Sequence, residues 1–453
     1  MHLNKLTVLS LFSGGMGLDV GLSKTRRFDL LACVEKESAF CETIRLNQRE
    51  GRLDEHAQVI EADIKRVDPK QLRESLGLKQ GALDLLVGGP PCQTFSTAGK
   101  RAAVEDPRGT LLWDYLRFVS EFQPKFFLME NVRGLMSAAL RHRPIRERPE
   151  HGGLPLEPEE QPGSVVRLFC HDLQKLPGGS YHMDCFEVNA VNYGVPQIRE
   201  RALFIGNRFN AVVDFPEPTH GSIAEAEAEA NLDLFGAASK HLLPWKTLRD
   251  AIGSMTEESP EILDFSPRKK SYLAMVPEGS NWRSLPENIQ RESMGAAWFA
   301  KGGRSGWWRR LTYDLPCPTL MTMPNHAGTA LCHPVETRAL SLREYARIQE
   351  FPDDWQFCGT TSEKYAQVGN AVPLRLAQIA GELIAGHLDE MRERSWESFP
   401  SPKESLRKIY IQSHVRTRQW FKGGETFIWD GDEAATPTYA APKTRRKVAS
   451  MKG

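Results

Sequence analysis

Gly88-Gly89-Pro90-Pro91-Cys92-Gln93-Thr94-Phe95-Ser96 is the stretch that decides the fold and points to the chemistry. It follows an apolar run, residues 83–87, that predicts a buried parallel strand. The glycines allow close approach to the backbone, and the prolines stiffen the loop because each has a fixed φ and no N–H. Open α/β sheets bind ligands beyond the carboxyl ends of their strands, so Cys92 is placed like a nucleophile. A buried, inert thiol is the commoner fate of a free cysteine, but packing does not explain the prolines or the polar residues around it.

The composition limits the class of protein. The chain has 453 residues, 40% hydrophobic and 26% charged, which is enough for a large core and more than one domain. Its formal net charge is zero, so any nucleic-acid contact must come from local patches. Eight cysteines without a C-x-x-C pair argue against a disulfide framework and a zinc site; we expect no metal and a reducing, cytoplasmic compartment. We find no signal-peptide layout and no membrane-length apolar run, so no membrane partner is expected.

The N-terminal region predicts a Rossmann-like unit. Residues 7–12 form an apolar strand that runs into Ser13-Gly14-Gly15-Met16-Gly17, where glycines allow a ligand to approach a helix N-terminus. The next strand, residues 30–34, ends at Glu35, roughly 20 residues past the glycines, where such folds hold a ribose diol. An ordinary surface carboxylate is an equally open interpretation of Glu35.

Further strands end in acids. Asp63 closes the strand at residues 59–64 and could accept from an adenine amino group or cap the next turn. Glu130 follows the strand at residues 125–129. Together with the strands before Gly88, Glu35 and the first glycine loop, these strands then end in a glycine turn or an acid at the same edge of one sheet.

Two arginines precede another strand. In Gln197-Ile198-Arg199-Glu200-Arg201 the arginines are two residues apart, so in an extended segment they lie on the same face. Surface arginines are common, but these run directly into a core strand, and we expect them to point into a site.

The character of the chain changes after residue 208. Residues 266–311 hold nine Lys or Arg and three Glu, interleaved with Trp282, Trp298, Trp307 and Trp308. This mixture favours nucleic-acid contact, although the tryptophans could also be the core of a small irregular domain. Ser341 and Glu344 predict a capping box at the start of a helix. From residue 389 we expect an appended segment whose basic end, residues 443–447, is disordered.

In this order the motifs resemble those of the DNA cytosine carbon-5 methyltransferases, from residue 9 to residue 388. The matching blocks are Phe12-Ser13-Gly14-Gly15-Met16-Gly17, Glu35, Asp63, Pro90-Pro91-Cys92-Gln93, Glu130-Asn131-Val132, Gln197-x-Arg199-x-Arg201, residues 338–352 and Gly369-Asn370-x-x-Pro373. One departure is Met16, because the family's loop reads Phe-x-Gly-x-Gly-Gly.

The resemblance implies an α/β, Rossmann-like S-adenosylmethionine-dependent methyltransferase fold. Its sheet is mostly parallel and seven-stranded, with helices on both faces, and a second, smaller, irregular domain recognises the target. We therefore expect a catalytic domain at residues 1–208, a DNA-reading domain at 209–335, motifs returning to the catalytic domain at 336–388, and the appended segment at 389–453.

The resemblance also implies the chemistry. Carbon 5 of cytosine is too electron-poor to attack a methyl sulfonium until a nucleophile adds at carbon 6, and a thiolate suits that addition. Cys92 would be the nucleophile, and Glu130 would reach ring nitrogen 3 and the amine. Arg201 would hold the ring oxygen, and Arg199 would support the loop or the base. Gln93 and Ser96 would bind the flipped nucleotide. The cofactor would be S-adenosylmethionine, held by Phe12, Gly14, Gly15, Gly17, Glu35, Asp63, Ile64, Pro90, Leu111 and Asn370.

The implied partner is double-stranded DNA, from which the target base must be flipped. We expect a monomer, and the resemblance leaves room for a restriction endonuclease acting on the same site. Two alternatives stay open: a tRNA cytosine-5 methyltransferase of the same fold, and a catalytically silent DNA-binding relative. A zinc deaminase needs Pro-Cys-x-x-Cys, which the residues after Cys92 do not provide.

Overall fold

The computed structural model of the protein describes residues 5–91, 110–178, 181–222, 226, 242–299, 306–393, 405–410, 418–422 and 425–429. The chain divides into two compact units. The first comprises Met1–Val188, Glu200–Glu217 and Leu376–Ile411, and the second Asn189–Arg199, Pro218–Arg375 and Gln412–Gly453. Each unit is therefore built from several separate stretches of sequence. Among the helices that the structure describes, none has both the length and the apolar composition needed to cross a bilayer.

The strands form one large sheet and two small ones. They are β1 (Leu6–Leu11), β2 (Phe28–Glu35), β3 (Gln58–Glu61), β4 (Leu85–Gly88), β5 (Phe126–Val132), β6 (His182–Asn189), β7 (Glu200–Asn207), β8 (His220–Gly221), β9 (Leu243–Pro244), β10 (Leu406–Tyr410), β11 (Arg418–Lys422) and β12 (Glu425–Trp429). The large sheet has the order β10-β6-β7-β5-β4-β1-β2-β3. Strands β8 and β9 pair with each other, as do β11 and β12.

The centre of the large sheet is parallel and buried. β1 pairs in parallel with β2 and β4, and β4 pairs in parallel with β5. All four residues of β4 are buried, as a strand covered on both faces requires. This confirms the predicted mixed α/β class with a mostly parallel sheet.

Five helices follow the strands of the first unit: α1 (Gly17–Ser23), α2 (Ser38–Arg49), α3 (Pro69–Ser75), α4 (Leu111–Phe122) and α5 (Ser164–Gln174). The apolar side of α4 is buried, with Tyr115, Phe118 and Val119 fully enclosed in the core of this unit. A further helix, Leu374–Glu393, begins in the second unit and ends in the first.

One pair of strands breaks the parallel pattern and brings two distant motifs together. β5 and β7 are antiparallel, with Glu130 opposite Leu203 and Val132 opposite Arg201. Glu130 and Arg201 are therefore diagonal neighbours on one face, a separation that long side chains can span.

The second unit has its own core. Its helices are Leu248–Ile252, Pro267–Leu273, Glu287–Met294, Leu342–Ile348 and Thr361–Asn370. Trp282 and Trp308 are buried in a cluster with Tyr272 and Leu273, while Trp298 and Trp307 pack against it partly exposed. The interpretation as a core is therefore confirmed for Trp282 and Trp308, while contact of this region with nucleic acid stays a prediction. The domain limits expected from the sequence differ from this division, since residues 189–199 and 336–375 group with the tryptophan-containing unit.

The C-terminal segment corrects two expectations. The sheet has eight strands, not seven, because β10 pairs in parallel with β6 at its edge. Part of the segment expected to be merely appended thus belongs to the large sheet, and β11 and β12 form an antiparallel hairpin. The basic end at residues 443–447, expected to be disordered, lies outside the described residues.

Candidate active site

The loop that leads to Cys92 leaves the sheet at a crowded point. A methyl group on Gly88 would lie 2.8 Å from the Leu11 carbonyl oxygen, so β4 ends in close contact with β1. One residue later, a methyl group on Gly89 would lie 3.4 Å from Oε2 of Glu130. The glycines thus bring the start of the loop against the acid at the end of the neighbouring strand. Cys92, Gln93 and Ser96 themselves lie outside the described residues.

Glu130 and Arg201 form a buried ion pair. Nε of Arg201 lies 2.6 Å from Oε1 of Glu130, and 11% of each side chain is exposed. Nη1 of Arg201 donates to the Glu200 carbonyl at 2.7 Å. Burial lowers the pKa of the Arg201 guanidinium, and the Glu130 carboxylate opposes that shift. The structure therefore brings together the predicted acid and one of the two predicted arginines.

Asn131 was not among the predicted site residues. Its Nδ2 donates to the Pro90 carbonyl at 3.0 Å, and its Oδ1 accepts from the Val132 N–H at 2.9 Å. Asn131 therefore ties the loop that follows β4 to the strand that carries Glu130. An amide can donate and accept at once, so its residue type permits both bonds, but the sequence does not show which backbone groups it would reach.

The glycine loop after β1 contains three residues with positive φ. They are Phe12 at 55°, Gly14 at 54° and Met16 at 67°, a backbone region that disfavours residues with a side chain. Met16 is the N-cap of α1, with Gly17 as the first helical residue. Met16, which stands where the family's loop has a glycine, thus adopts the left-handed conformation that glycine adopts easily. Gly15, directly before it, has no positive φ.

Glu35 holds this loop to the end of β2. Its Oε2 accepts from the Gly14 N–H at 2.8 Å, and its Oε1 accepts from the N–H groups of Lys36 and Glu37. A carboxylate offers about four acceptor positions, so Oε2 retains capacity for another donor. The open interpretation of Glu35 as a surface carboxylate is wrong, since the residue is buried.

The other predicted cofactor residues differ in exposure. Asp63 is exposed and caps a short helical turn by accepting from the Lys65 N–H at 2.9 Å, which bears out its capping alternative. Ile64 is buried in the core of the first unit, and Pro90 is also buried. Leu111, the first residue of α4, packs partly exposed against the same core.

Arg199 and Arg201 have different partners. Arg199 belongs to the second unit and is 1% exposed. Its terminal nitrogens donate to the carbonyls of Leu320, Gly369 and Ala371. Asn370, the last residue of the helix Thr361–Asn370, is exposed between two of those acceptors. Arg199 precedes β7, which begins at Glu200 and carries Arg201, so the two arginines lie on different elements.

Comparison with known proteins adds to this geometry. The family model for C-5 cytosine-specific DNA methylases matches residues 6–385. The chain belongs to this family.

Curated relatives support the assignment. The type II methyltransferase M.Eco47II of Escherichia coli is 35% identical over 398 residues, which cover 86% of this chain and 81% of that protein. M.Sau96I of Staphylococcus aureus is 33% identical over 383 residues, covering 84% and 76%. The crystal structure of the S. pombe Dnmt2 methyltransferase covers 86% of this chain and 99% of its own, with a TM-score of 0.50 and 16% identity, and this likeness concerns the fold alone.

As a C-5 cytosine-specific DNA methylase, the protein methylates carbon 5 of cytosine in DNA and uses S-adenosylmethionine. The first unit fits that cofactor in one respect that can be tested on the structure. The buried carboxylate of Glu35 sits against the glycine loop and keeps an acceptor position for a hydroxyl group, as a ribose diol requires.

The basic residues of the methylase's second unit are not equivalent. Arg310 is buried, and it donates to the carbonyls of Val276 and Leu273 at 2.7 and 2.8 Å and to Oγ1 of Thr337 at 2.9 Å. Arg291, in contrast, is exposed and stacks 5.8 Å from the ring centre of Trp298. Part of the basic cluster therefore holds the unit together from inside, and part is exposed on its surface.

One group of side chains has metal-ligand geometry within the described part of the methylase. The ligand atoms of Asp29, Asp54 and His56 lie within 4.8 Å of one another. Ion pairs account for this grouping: His56 contacts Asp29 at 3.2 Å, and Lys5 contacts Asp54 at 3.5 Å.

Proposed function

We propose that this DNA methylase acts on a cytosine flipped out of a specific duplex sequence, with Cys92 adding to carbon 6. The observation that supports the proposal most is the Glu130–Arg201 pair beside Gly89, three residues before Cys92. It supplies an acid and a cation at the start of the loop that carries the thiol.

The roles of Glu130 and Arg201 follow from the atoms that their ion pair leaves unused. Oε1 of Glu130 is used by Arg201, so Oε2, the oxygen beside Gly89, would approach ring nitrogen 3 and the exocyclic amine. Within the described chain Arg201 contacts Glu130 through Nε and the Glu200 carbonyl through Nη1, so Nη2 would hold the ring oxygen. Neutralising charge on the ring in this way makes addition at carbon 6 easier.

S-adenosylmethionine supplies the electrophilic methyl group that carbon 5 accepts. The loop from Phe12 to Gly17 would bind its methionine end, with Gly14 and Gly15 offering backbone groups. Glu35 would accept from the ribose and Asp63 from the adenine. Ile64, Pro90 and Leu111 would complete the pocket, and Asn370 is a further residue proposed to contact the cofactor.

The remaining chain residues would bind and read the DNA. Gln93 and Ser96 would contact the flipped nucleotide's backbone, and Arg199 would support the site through the backbone it holds. The second unit would read the neighbouring sequence, because it combines exposed Arg291 and Trp298 with a core of its own.

Covalent trapping tests the nucleophile. A duplex carrying 5-fluorocytosine at the target position cannot lose the group on carbon 5, so the enzyme should stay attached in the presence of S-adenosylmethionine. Mass spectrometry should locate the adduct on Cys92, and Cys92→Ala should form none. An adduct on another residue would overturn the assignment, and label transferred to tRNA but not to duplex DNA would favour the tRNA alternative.

We also infer a cytoplasmic monomer with a restriction endonuclease that cuts the same sequence. Seven cysteines within the described residues are free thiols, in keeping with a reducing compartment. The relatives named above are type II methyltransferases. Light scattering should give the mass of one chain, and bisulfite sequencing of DNA from expressing cells should reveal a single methylated sequence.

A further inference from the structure

A buried polar network lies beneath residues 369–371, where the helix Thr361–Asn370 of the second unit ends; this stretch is called the turn. Gln197 and Gln349 are both 0% exposed, and Arg199 is 1% exposed. Nε2 of Gln197 donates to Oε1 of Gln349 at 3.0 Å. Buried amides are costly unless bonded, so two glutamines that face each other in a core need a reason to be there.

Gln349 reaches the turn. Its Nε2 donates to the carbonyl of Val368 at 2.9 Å and to that of Ala371 at 3.1 Å. Arg199 donates to the carbonyls of Gly369 at 2.8 Å and of Ala371 at 2.9 Å. Backbone oxygens on both sides of Asn370 are thereby held, while the Asn370 side chain itself remains exposed.

The same network holds a second segment of backbone. Oε1 of Gln197 accepts from the Leu320 N–H at 3.0 Å, and Arg199 donates to the Leu320 carbonyl at 3.1 Å. A methyl group on Gly369 would lie 2.8 Å from the carbonyl carbon of Met321. The turn is therefore packed tightly against this segment, and this contact restricts the direction in which the turn can point.

We propose that Gln349 is a positioning residue for cofactor binding, which fixes the direction in which Asn370 presents its amide. The inference rests on the proposed contact between Asn370 and S-adenosylmethionine. Gln349 can hold this position because its Oε1 accepts from Gln197 while its Nε2 donates to the turn. An apolar residue of the same length would remove the two side-chain hydrogen bonds that Gln349 donates to the turn.

The chain offers a matched control in Gln367. It is also 0% exposed and lies in the helix that ends at Asn370, but its Nε2 donates to the Cys358 carbonyl at 2.9 Å. Its side chain thus holds a loop rather than the turn. Substituting either glutamine by methionine removes a buried amide and keeps the length of the side chain.

The experiment measures the dissociation constant of S-adenosylmethionine by titration calorimetry for the full chain and four variants: Gln349→Met, Gln367→Met, Asn370→Ala and the double variant Gln349→Met/Asn370→Ala. Gln349→Met should weaken binding about tenfold, equivalent to 1.4 kcal/mol. Gln367→Met should lower the melting temperature to a similar extent and leave the dissociation constant unchanged. Because Gln349 acts through Asn370, the double variant should bind no more weakly than the weaker single variant.

The outcomes separate the inference from the function on which it rests. An unchanged dissociation constant in Asn370→Ala would overturn the role of Asn370 and the inference with it. If Asn370→Ala weakens binding but Gln349→Met does not, or if their effects add, the positioning role alone is wrong. Should Gln349→Met fail to fold, Gln349→Asn keeps an amide that is too short to bridge Gln197 and the turn, and it should weaken binding in the same way.

Discussion

The guanidinium of Arg201 and the carboxylate of Glu130 satisfy each other inside the first unit, so neither can be removed without leaving the other buried and unpaired. Breaking such a pair costs stability whatever its role in catalysis. A test of function at this residue pair must therefore separate lost folding from lost chemistry.

Glu130→Gln should reduce turnover by about 10²- to 10⁴-fold, the range for a positioned general acid. The physical reason is that the amide cannot supply a proton to the ring. The measurement is tritium transfer from labelled S-adenosylmethionine to duplex DNA, expressed per folded molecule. The matched control is Glu187→Gln, since Glu187 is an equally buried acid on β6 that lies 3.5 Å from Nε of Arg133. Equal losses of turnover in the two variants would contradict a catalytic role for Glu130.

The backbone strain at Met16 can be tested by comparing two substitutions that both remove its buried side chain. Met16 is fully buried with φ at 67°, so Met16→Ala and Met16→Gly both lose the packing of the side chain beyond Cβ. Only glycine also relieves the left-handed conformation, and we expect it to be more stable than alanine by about 1 kcal/mol. Urea unfolding measures the difference. Met129, buried within β5, is the control, and there the alanine variant should be more stable than the glycine variant. If the alanine variant is also the more stable one at Met16, the backbone at Met16 is not strained.

At this scale the sequence predicts residue types better than partners. Glu35 and Glu130 could be chosen because acids after core strands collect at one edge of a sheet. Their partners depend on where neighbouring amides point. The sequence does not show that the Glu35 oxygens accept from backbone N–H groups, or that Asp63 caps a turn. Asn131 was overlooked because its role depends on a carbonyl 41 positions away along the chain.

Among the elements, helix starts were predictable because their signals are local. Ser341 accepts from the Glu344 N–H at 3.1 Å, and the Ser341 N–H donates to the Glu344 carboxylate at 2.6 Å, as the predicted capping box requires. β10 was not predictable, because its five residues gain stability by pairing with β6, more than 200 positions earlier. Such long-range pairing has no local signature.

The β10 strand carries its own electrostatic anchor. Arg407 donates to Asp184 on β6, which is fully buried and also contacts His182 at 2.9 Å and the Val213 N–H at 2.8 Å. Burial alone would raise the pKa of Asp184, but these hydrogen bonds outweigh it and hold the pKa below its ordinary value. The folded state therefore gains stability from this carboxylate at neutral pH and loses it as pH falls through the lowered pKa.

Arg407→Met should therefore destabilise the protein by about 1–3 kcal/mol at pH 7, since a buried acceptor loses a charged donor. The substitution raises the pKa of Asp184 in the folded state, so the difference from the wild type should shrink below about pH 4. Urea unfolding at pH 7 and at low pH measures both. Lys408→Met removes the neighbouring cation of the same strand without unpairing Asp184. The proposed role of Asp184 would be contradicted if the loss of unfolding free energy in Arg407→Met were the same at both pH values. A loss in Lys408→Met that differs between the two pH values would contradict it as well.

For the whole molecule, the two units explain why the motifs are scattered. Residues two positions apart, Arg199 and Arg201, belong to different units, and the helix Leu374–Glu393 passes from the second unit to the first. A sequence divided into consecutive domains cannot represent a chain that crosses between units several times. The order of the motifs therefore indicated the family, while the grouping of their side chains required the structure.

The charge distribution leads to the last prediction. Because the net charge is zero, DNA binding must depend on local cations, and each phosphate contact should contribute about 0.9 to the slope of log affinity against log salt. Arg291 is exposed, and its pairing with Glu287 should add little stability. If Arg291 contacts a phosphate as proposed, Arg291→Gln should lower that slope by about 0.9 in fluorescence anisotropy titrations and leave the melting temperature unchanged.

Arg146 of the first unit is the control for that prediction, because it is also exposed and paired with a neighbouring acid, Glu147, at 3.1 Å. It lies outside the basic, tryptophan-containing region, so Arg146→Gln should leave the salt slope as it is in the wild type. Equal slopes in the two variants would mean that exposed cations act through the general field of the protein. A smaller slope in Arg291→Gln alone would instead assign the contact to the surface that carries Trp298, since Arg291 stacks on that ring.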